Sequence, residues 1–177
     1  MTATTAAPAD LSSKPLRDVI EQVVSTHHVY LREELPYLER MIGKMAANHG
    51  KDTPFLVTAQ RIILELKEDL LAHLAKEEQV LFPYVAQLEE AGAAPEACFP
   101  SVQYPIRMMM MEHDGATDLL VNLRRVTNGY TAPDFACENG RAFFTRLAAF
   151  EADMYEHIRV ENQVLFPRAV ELEESGR

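Results

Sequence analysis

His73-Leu-Ala-Lys-Glu77-Glu-Gln-Val-Leu-Phe-Pro83 and His157-Ile-Arg-Val-Glu161-Asn-Gln-Val-Leu-Phe-Pro167 are two copies of one phrase. Residues four apart share a helix face, so each copy aims one imidazole and one carboxylate at the same point. Both pairs interrupt an apolar stripe. One stripe runs Ile62, Leu66, Leu70, His73, Glu77, Val80 and the other Phe143, Leu147, Phe150, Met154, His157, Glu161, Val164. A buried carboxylate without a partner costs several kcal/mol, so two such pairs imply cations between them.

Working outward, the breakers divide the chain. Asn48-His-Gly50-Lys-Asp52-Thr-Pro54, Ala91-Gly92-Ala-Ala-Pro95 and Thr127-Asn128-Gly129-Tyr-Thr-Ala-Pro133 separate four long segments, none with the period-two alternation of a strand. Residues 1–14, rich in Thr, Ala, Ser and Pro, read as a disordered leader, and 15–177 as one domain. The first helix, from Leu16 to Ala47, carries Val24, His28, Leu31, Leu35, Leu38, Ile42 and Met45 on one face. The third, from Tyr104 to Val126, carries Ile106, Met109, His113, Ala116 and Leu120. Short connections make successive helices antiparallel, which predicts an all-α, up-down-up-down four-helix bundle. Pro36, Pro83 and Pro167 are each expected to kink or end a helix.

Hairpin register adds a test that periodicity lacks. The midpoint of His28 and His73 falls in the Gly50 loop, that of His73 and His113 in the loop 92–95, and that of His113 and His157 just past Pro133. One inward histidine per helix therefore arrives at one height, with Glu77 and Glu161 a turn further along. Four imidazoles and two carboxylates suit iron, manganese or zinc better than calcium or magnesium. Six protein ligands shared by two ions leave coordination positions open.

Composition narrows the partners. A net charge of -10 leaves no basic stripe for nucleic acid or anionic lipid, and no stretch is apolar for long enough to span a bilayer. Cys98 and Cys137 form no CxxC pair and the start has no signal-peptide pattern, which points to a cytoplasmic setting.

The phrases around His28, His73-x-x-x-Glu77, Glu112-His113-Asp114 and His157-x-x-x-Glu161-Asn-x-Val-Leu-Phe-Pro167 resemble the hemerythrin-like (HHE) domain. They are most similar to the di-iron domain of the iron-sulfur cluster repair (RIC, YtfE or ScdA) proteins and to NorA-type proteins, from about Leu16 to Ala169. The resemblance implies two non-haem iron ions, oxo- or hydroxo-bridged when oxidised. His28, His73, His113 and His157 would be terminal ligands and Glu77 and Glu161 bridging ones. It also implies a role in the nitrosative or oxidative stress response, binding NO or O2, with iron donated to an iron-sulfur scaffold. Two features depart from relatives. The N-terminal cysteine module of the repair proteins is not expected here, and Thr117 stands where oxygen-carrying hemerythrins have a further histidine on the third helix. Other readings are an enzyme reducing NO or peroxide with an external reductase, an O2 or iron sensor or storage protein, and a metal-free structural bundle.

The remaining residues have plainer expectations. His49 lies on the first stripe but roughly 31 Å from His28 along a helix, so it reads as a helix-end residue. His27 reads as a flanking or partly exposed residue, and Met108-Met-Met-Met111 as core filler. Asp69 and Glu112 read as outer acceptors for ligand N–H groups, steps on an iron path, or solvated charges. Tyr30 and Tyr155 should project away from the metals. Glu171, Glu173 and Glu174 read as a solvated acidic terminus.

Overall fold

The computed structural model describes residues 11–176, and these form four antiparallel helical rods. The first rod joins α1 (Leu16–Val23), a π turn π1 (Val24–His28) and α2 (Val29–His49). The second joins α3 (Phe55–Lys76), π2 (Glu77–Leu81) and α4 (Phe82–Ala91). The third is α5 (Gln103–Val126), and the fourth joins α6 (Glu138–Val160), π3 (Glu161–Leu165) and α7 (Phe166–Ser175). Each rod packs on the next, and α6 returns to α2, so rods two and four oppose each other across the bundle. No strand occurs among the described residues. The expected all-α bundle is the observed fold.

Two apolar clusters fill the interior, with the histidines and glutamates between them. One holds Leu31, Leu35, Leu74, Leu120, Phe143 and Met154 among others; the second holds Val19, Val23, Leu81, Phe82, Met109 and Phe166. Along rods one and three the chain runs from the second cluster into the first, and along rods two and four it runs back. Alternating direction thus brings the four histidines to one level, as the register argument requires.

The π turns were not expected. His73, Glu77, Leu81 and Val85 are all buried, as are His157, Glu161, Leu165 and Ala169. A step of four residues overshoots an α-helical turn by about 40°, so three consecutive steps of four would carry Val85 and Ala169 off the inner face. A widened turn holding an extra residue takes up that drift. The stripes therefore shift by one residue after each glutamate: Val80 is exposed where Leu81 is buried, and Leu165 is buried more deeply than Val164. Pro83 and Pro167 are the second residues of α4 and α7, directly beyond the widened turns, and neither ends its rod. Pro36 lies within α2.

The ends are tied by buried polar contacts. The proposed leader falls outside the described residues over 1–10, but residues 11–14 do not fit it. Leu11 is packed into the second cluster, and the Arg168 guanidinium donates to the carbonyls of Leu11 and Lys14. Glu89, from the second rod, accepts from the Leu16 and Arg17 amides at 2.6 and 3.0 Å, satisfying donors that the α1 terminus leaves open. Gly92, at φ 64°, closes the second rod in the left-handed conformation that glycine adopts without strain.

Glu173 corrects the expectation of a solvated acidic terminus. It is buried and accepts from the Tyr84 hydroxyl, the Ser101 hydroxyl and the Val102 amide at 2.6, 2.7 and 2.9 Å. It joins α7 to α4 and to the entry of α5, whereas Glu171 and Glu174 are exposed. Glu173→Ala should cost about 2–4 kcal/mol, because three donors lose one acceptor at once. Thermal melting of the metal-free protein measures this, and an unchanged midpoint would contradict it.

Candidate metal centre

Three of the six sequence-derived residues open or close a π turn: His28 ends π1, and Glu77 and Glu161 begin π2 and π3. His73, His113 and His157 project from α3, α5 and α6. All six are at most 3 % exposed. The structure brings them together as two groups, His28, Glu77, His157, Glu161 and His73, Glu77, His113, Glu161, each with its ligating atoms within 4.8 Å of one another. The glutamates belong to both groups.

The carboxylates divide their oxygens between the groups. Glu77 Oε2 lies 3.4 Å from His28 Nε2 and Oε1 lies 3.3 Å from His73 Nε2. Glu161 Oε1 lies 3.1 Å from His157 Nε2 and Oε2 lies 3.1 Å from His113 Nε2. Among the described residues, none of these four buried oxygens has a hydrogen bond of acceptable geometry. Within the groups, His28 and His157 approach Nε2 to Nε2 at 3.2 Å, and His73 and His113 at 3.1 Å.

Hydrogen bonds on the outer ring nitrogens fix the tautomers. His28 Nδ1 donates to Glu78 at 2.7 Å, His73 Nδ1 to Glu112 at 2.8 Å and His113 Nδ1 to Asn162 at 2.9 Å. A proton held at Nδ1 turns the Nε2 lone pair of a neutral ring inward, the arrangement a metal ligand needs. Glu78 is anchored by Arg32 and Glu112 by Lys76. Partial burial opposes their ionisation, but these cations and the histidines hold both carboxyls below the usual range.

Without a cation the centre collects protons instead. Burial disfavours charge on His28, yet the neighbouring carboxylates of Glu161, Glu77 and Glu78 outweigh it and raise its pKa to about 9. Burial likewise opposes charge on His73, and Glu77, Glu112 and Glu161 push it to about 9. Glu161 is fully buried, but His157, His113 and His28 hold its carboxyl well below the usual range. Orphaned carboxylate oxygens, inward Nε2 atoms and a mixed nitrogen and oxygen donor set together fit a first-row divalent cation.

The outlying expectations divide. His49 is exposed at the end of α2 beside Phe135, away from the centre. His49→Ala should therefore leave metal content unchanged, as elemental analysis would record. Glu112 serves as an outer acceptor, whereas Asp69 is exposed and, with His73, Lys76, Glu112, His113 and Gly115, lines a cavity of about 250 Å³ reaching the histidines. Tyr155 is exposed and Tyr30 half-buried, and neither belongs to the two ligand groups. Cys98 and Cys137 are exposed free thiols.

Two expectations are corrected. His27 is buried rather than partly exposed, stacked on His157 and paired with Asp153 at 2.8 Å. Of the four consecutive methionines only Met109 is core; Met108, Met110 and Met111 are exposed, because a helix turns successive residues to different faces. Sequence reasoning missed Glu78 and Asn162. Their signal was their shared place, each directly after the glutamate of its phrase.

No helix among the described residues is long and apolar enough to cross a membrane. Residues 19–169 match the hemerythrin HHE cation binding domain model. The chain is 34 % identical, over 161 residues, to the iron-sulfur cluster repair protein YtfE of Escherichia coli O1:K1, of E. coli strain SMS-3-5 and of Escherichia fergusonii. In each case the match covers 91 % of this chain and 69 % of the relative. A buried layer of paired histidines and shared glutamates that could hold cations, in a bundle of this topology, agrees with that match, and the chain belongs to the hemerythrin HHE domain family.

Proposed function

We propose that this protein is a cytoplasmic non-haem di-iron protein of the nitrosative or oxidative stress response, and that it supplies iron for iron-sulfur cluster repair. The observation carrying this reading is the division of each carboxylate between two histidine pairs, which suits Glu77 and Glu161 to bridging and His28, His157, His73 and His113 to terminal ligation. The repair role rests on the similarity to YtfE. His28, His73, His113, His157, Glu77 and Glu161 would hold a ferrous pair, which would supply open coordination positions and electrons to a diatomic ligand such as NO or O2.

The chain's own residues prepare that chemistry. Glu77 and Glu161 bring two negative charges to offset the cations, while neutral imidazoles leave net positive charge at each metal position. Phe82 stacks on His28 and Phe166 on His113, at ring separations of 5.6 and 5.9 Å, keeping water from that side. The cavity beside Asp69 and Glu112 offers the centre a lateral opening lined by carboxylates. An iron-sulfur scaffold would be the partner receiving iron, and a reductase the partner restoring the ferrous state.

Anaerobic loading with ferrous iron tests this reading. Two irons should bind per chain, and the absorption spectrum should change on adding NO or O2. Saturation below two irons, or a spectrum indifferent to both gases, would overturn it. Transfer of iron to an apo-cluster scaffold faster than to buffer alone would support the repair role.

A further inference from the structure

The two halves of the centre are related by an approximate twofold exchange of rods one and two with rods three and four. His28 corresponds to His113, His73 to His157, Glu77 to Glu161 and Phe82 to Phe166, and the ring stacking of Phe82 on His28 is repeated by Phe166 on His113. The outer residues follow the same exchange. Glu78 and Asn162 hold the Nδ1 atoms of His28 and His113. Glu112, preceding His113, holds Nδ1 of His73.

The mate of Glu112 is the residue preceding His28, which is His27. It meets His157 with its ring face, at a centroid separation of 5.4 Å and an interplanar angle of 9°. Ring nitrogen lone pairs lie in the ring plane, so a stacked imidazole cannot accept from its neighbour. His27 is committed instead to Asp153, the mate of Asp69, through its Nδ1 at 2.8 Å. In consequence Nδ1 of His157 is buried and has no acceptor among the described residues, alone among the four ligand histidines. The group around His28 and His157 therefore has one outer acceptor, and the group around His73 and His113 has two.

We propose that His27 makes the two metal positions unequal: the position served by His28 and His157 binds its ion more weakly and is the last to fill. This rests on the two-metal reading. An outer acceptor raises the basicity of a ligating imidazole and fixes its ring, and losing one costs about 10–100-fold in metal affinity. His27 thus acts as a positioning residue through His157. The stacked His27 ring and Asp153 stand where the other half has Glu112 and Asp69, the two carboxylates that line its cavity.

Equilibrium rather than release rate is the proper measure, because the cavity adjoins only His73 and His113 and would bias rates. The full chain is titrated anaerobically with ferrous iron against a competing chelator, and crystals grown at one equivalent are examined by anomalous diffraction at the iron edge. Two binding steps differing about 10-fold or more, with density at one equivalent concentrated between His73 and His113, are expected. His27→Glu, restoring the acceptor found in the other half, should tighten the weaker step by about 10-fold or more. Glu112→Ala should weaken the tighter step by about 10–100-fold, and it keeps the inference testable if the glutamate variant does not fold. Equal density at the two positions, or both steps unchanged within about twofold in these variants, would overturn the inference. Wild-type saturation below two irons would instead overturn the two-metal reading beneath it.

Discussion

Glu161→Ala should bind fewer than one iron per chain where the wild type binds two, and Glu77→Ala should behave alike. Each glutamate lends one oxygen to each histidine pair, so a single substitution removes a ligand from both positions together. What remains for each ion is two imidazoles and one carboxylate oxygen, with the charge of the donor set halved. Outer-shell partners alone are worth about 10–100-fold in affinity, so loss of a shared ligand should exceed about 100-fold at each position. Elemental analysis after anaerobic loading and desalting measures this, with circular dichroism to show that helicity is retained. Two irons retained in either variant would mean that these carboxylates do not bridge. Removing a terminal histidine has a different signature, since each belongs to one group and its loss should empty mainly one position.

Iron should raise the melting temperature on the order of 10 °C per ion, and the gain should widen from pH 6.5 to 9. Free iron at 1,000 times the dissociation constant contributes about 4 kcal/mol per site, and about 1 kcal/mol moves the midpoint of a chain this size by about 2–4 °C. The pH dependence follows from His28 and His73, raised to about 9 in the metal-free protein from an unfolded value of 6.5. A raised folded-state pKa contributes stability that is complete below the unfolded value and is lost as pH climbs through the folded one. The metal-free bundle should thus weaken between pH 6.5 and 9, by up to about 3 kcal/mol for each histidine. Iron displaces these protons, so the loaded protein escapes that loss and binds more tightly as proton competition falls. Paired calorimetric scans of loaded and metal-free protein across this range provide the test. A metal-induced shift that narrows with rising pH would contradict it.

The bundle was legible because hydrophobic spacing, glycine and proline breakers and short loops all agree. The six central residues were legible because they interrupt apolar stripes at one height, a coincidence that midpoints of hairpins can register without side-chain detail. The π turns escaped because strict 3.6-residue periodicity was applied through Glu77 and Glu161, although three consecutive steps of four to Val85 and Ala169 contain the mismatch. Glu173 escaped for a different reason. A glutamate in an acidic run looks solvated unless its distant donors, Tyr84, Ser101 and Val102, are known to meet it. His27 failed similarly, since its burial depends on Asp153 and His157 from the fourth rod.

The widened turns also make the rods respond unequally to a change of length. Each π turn holds one residue more than an α-helix of the same register needs, so removing an exposed residue such as Val80 or Gln163 would let an ordinary α-helix form with Leu81 and Val85, or Leu165 and Ala169, still facing the second cluster. Adding a residue to the same segment has no such slack, and would turn all that follows by about 100° about the rod axis. Leu81, Val85 and Leu88, or Leu165 and Ala169, would then swing out of the second cluster while the metal face stayed in place. Single-residue insertions there should therefore lower the melting temperature far more than a deletion at Val80, an asymmetry in chain length that side-chain identity alone does not express.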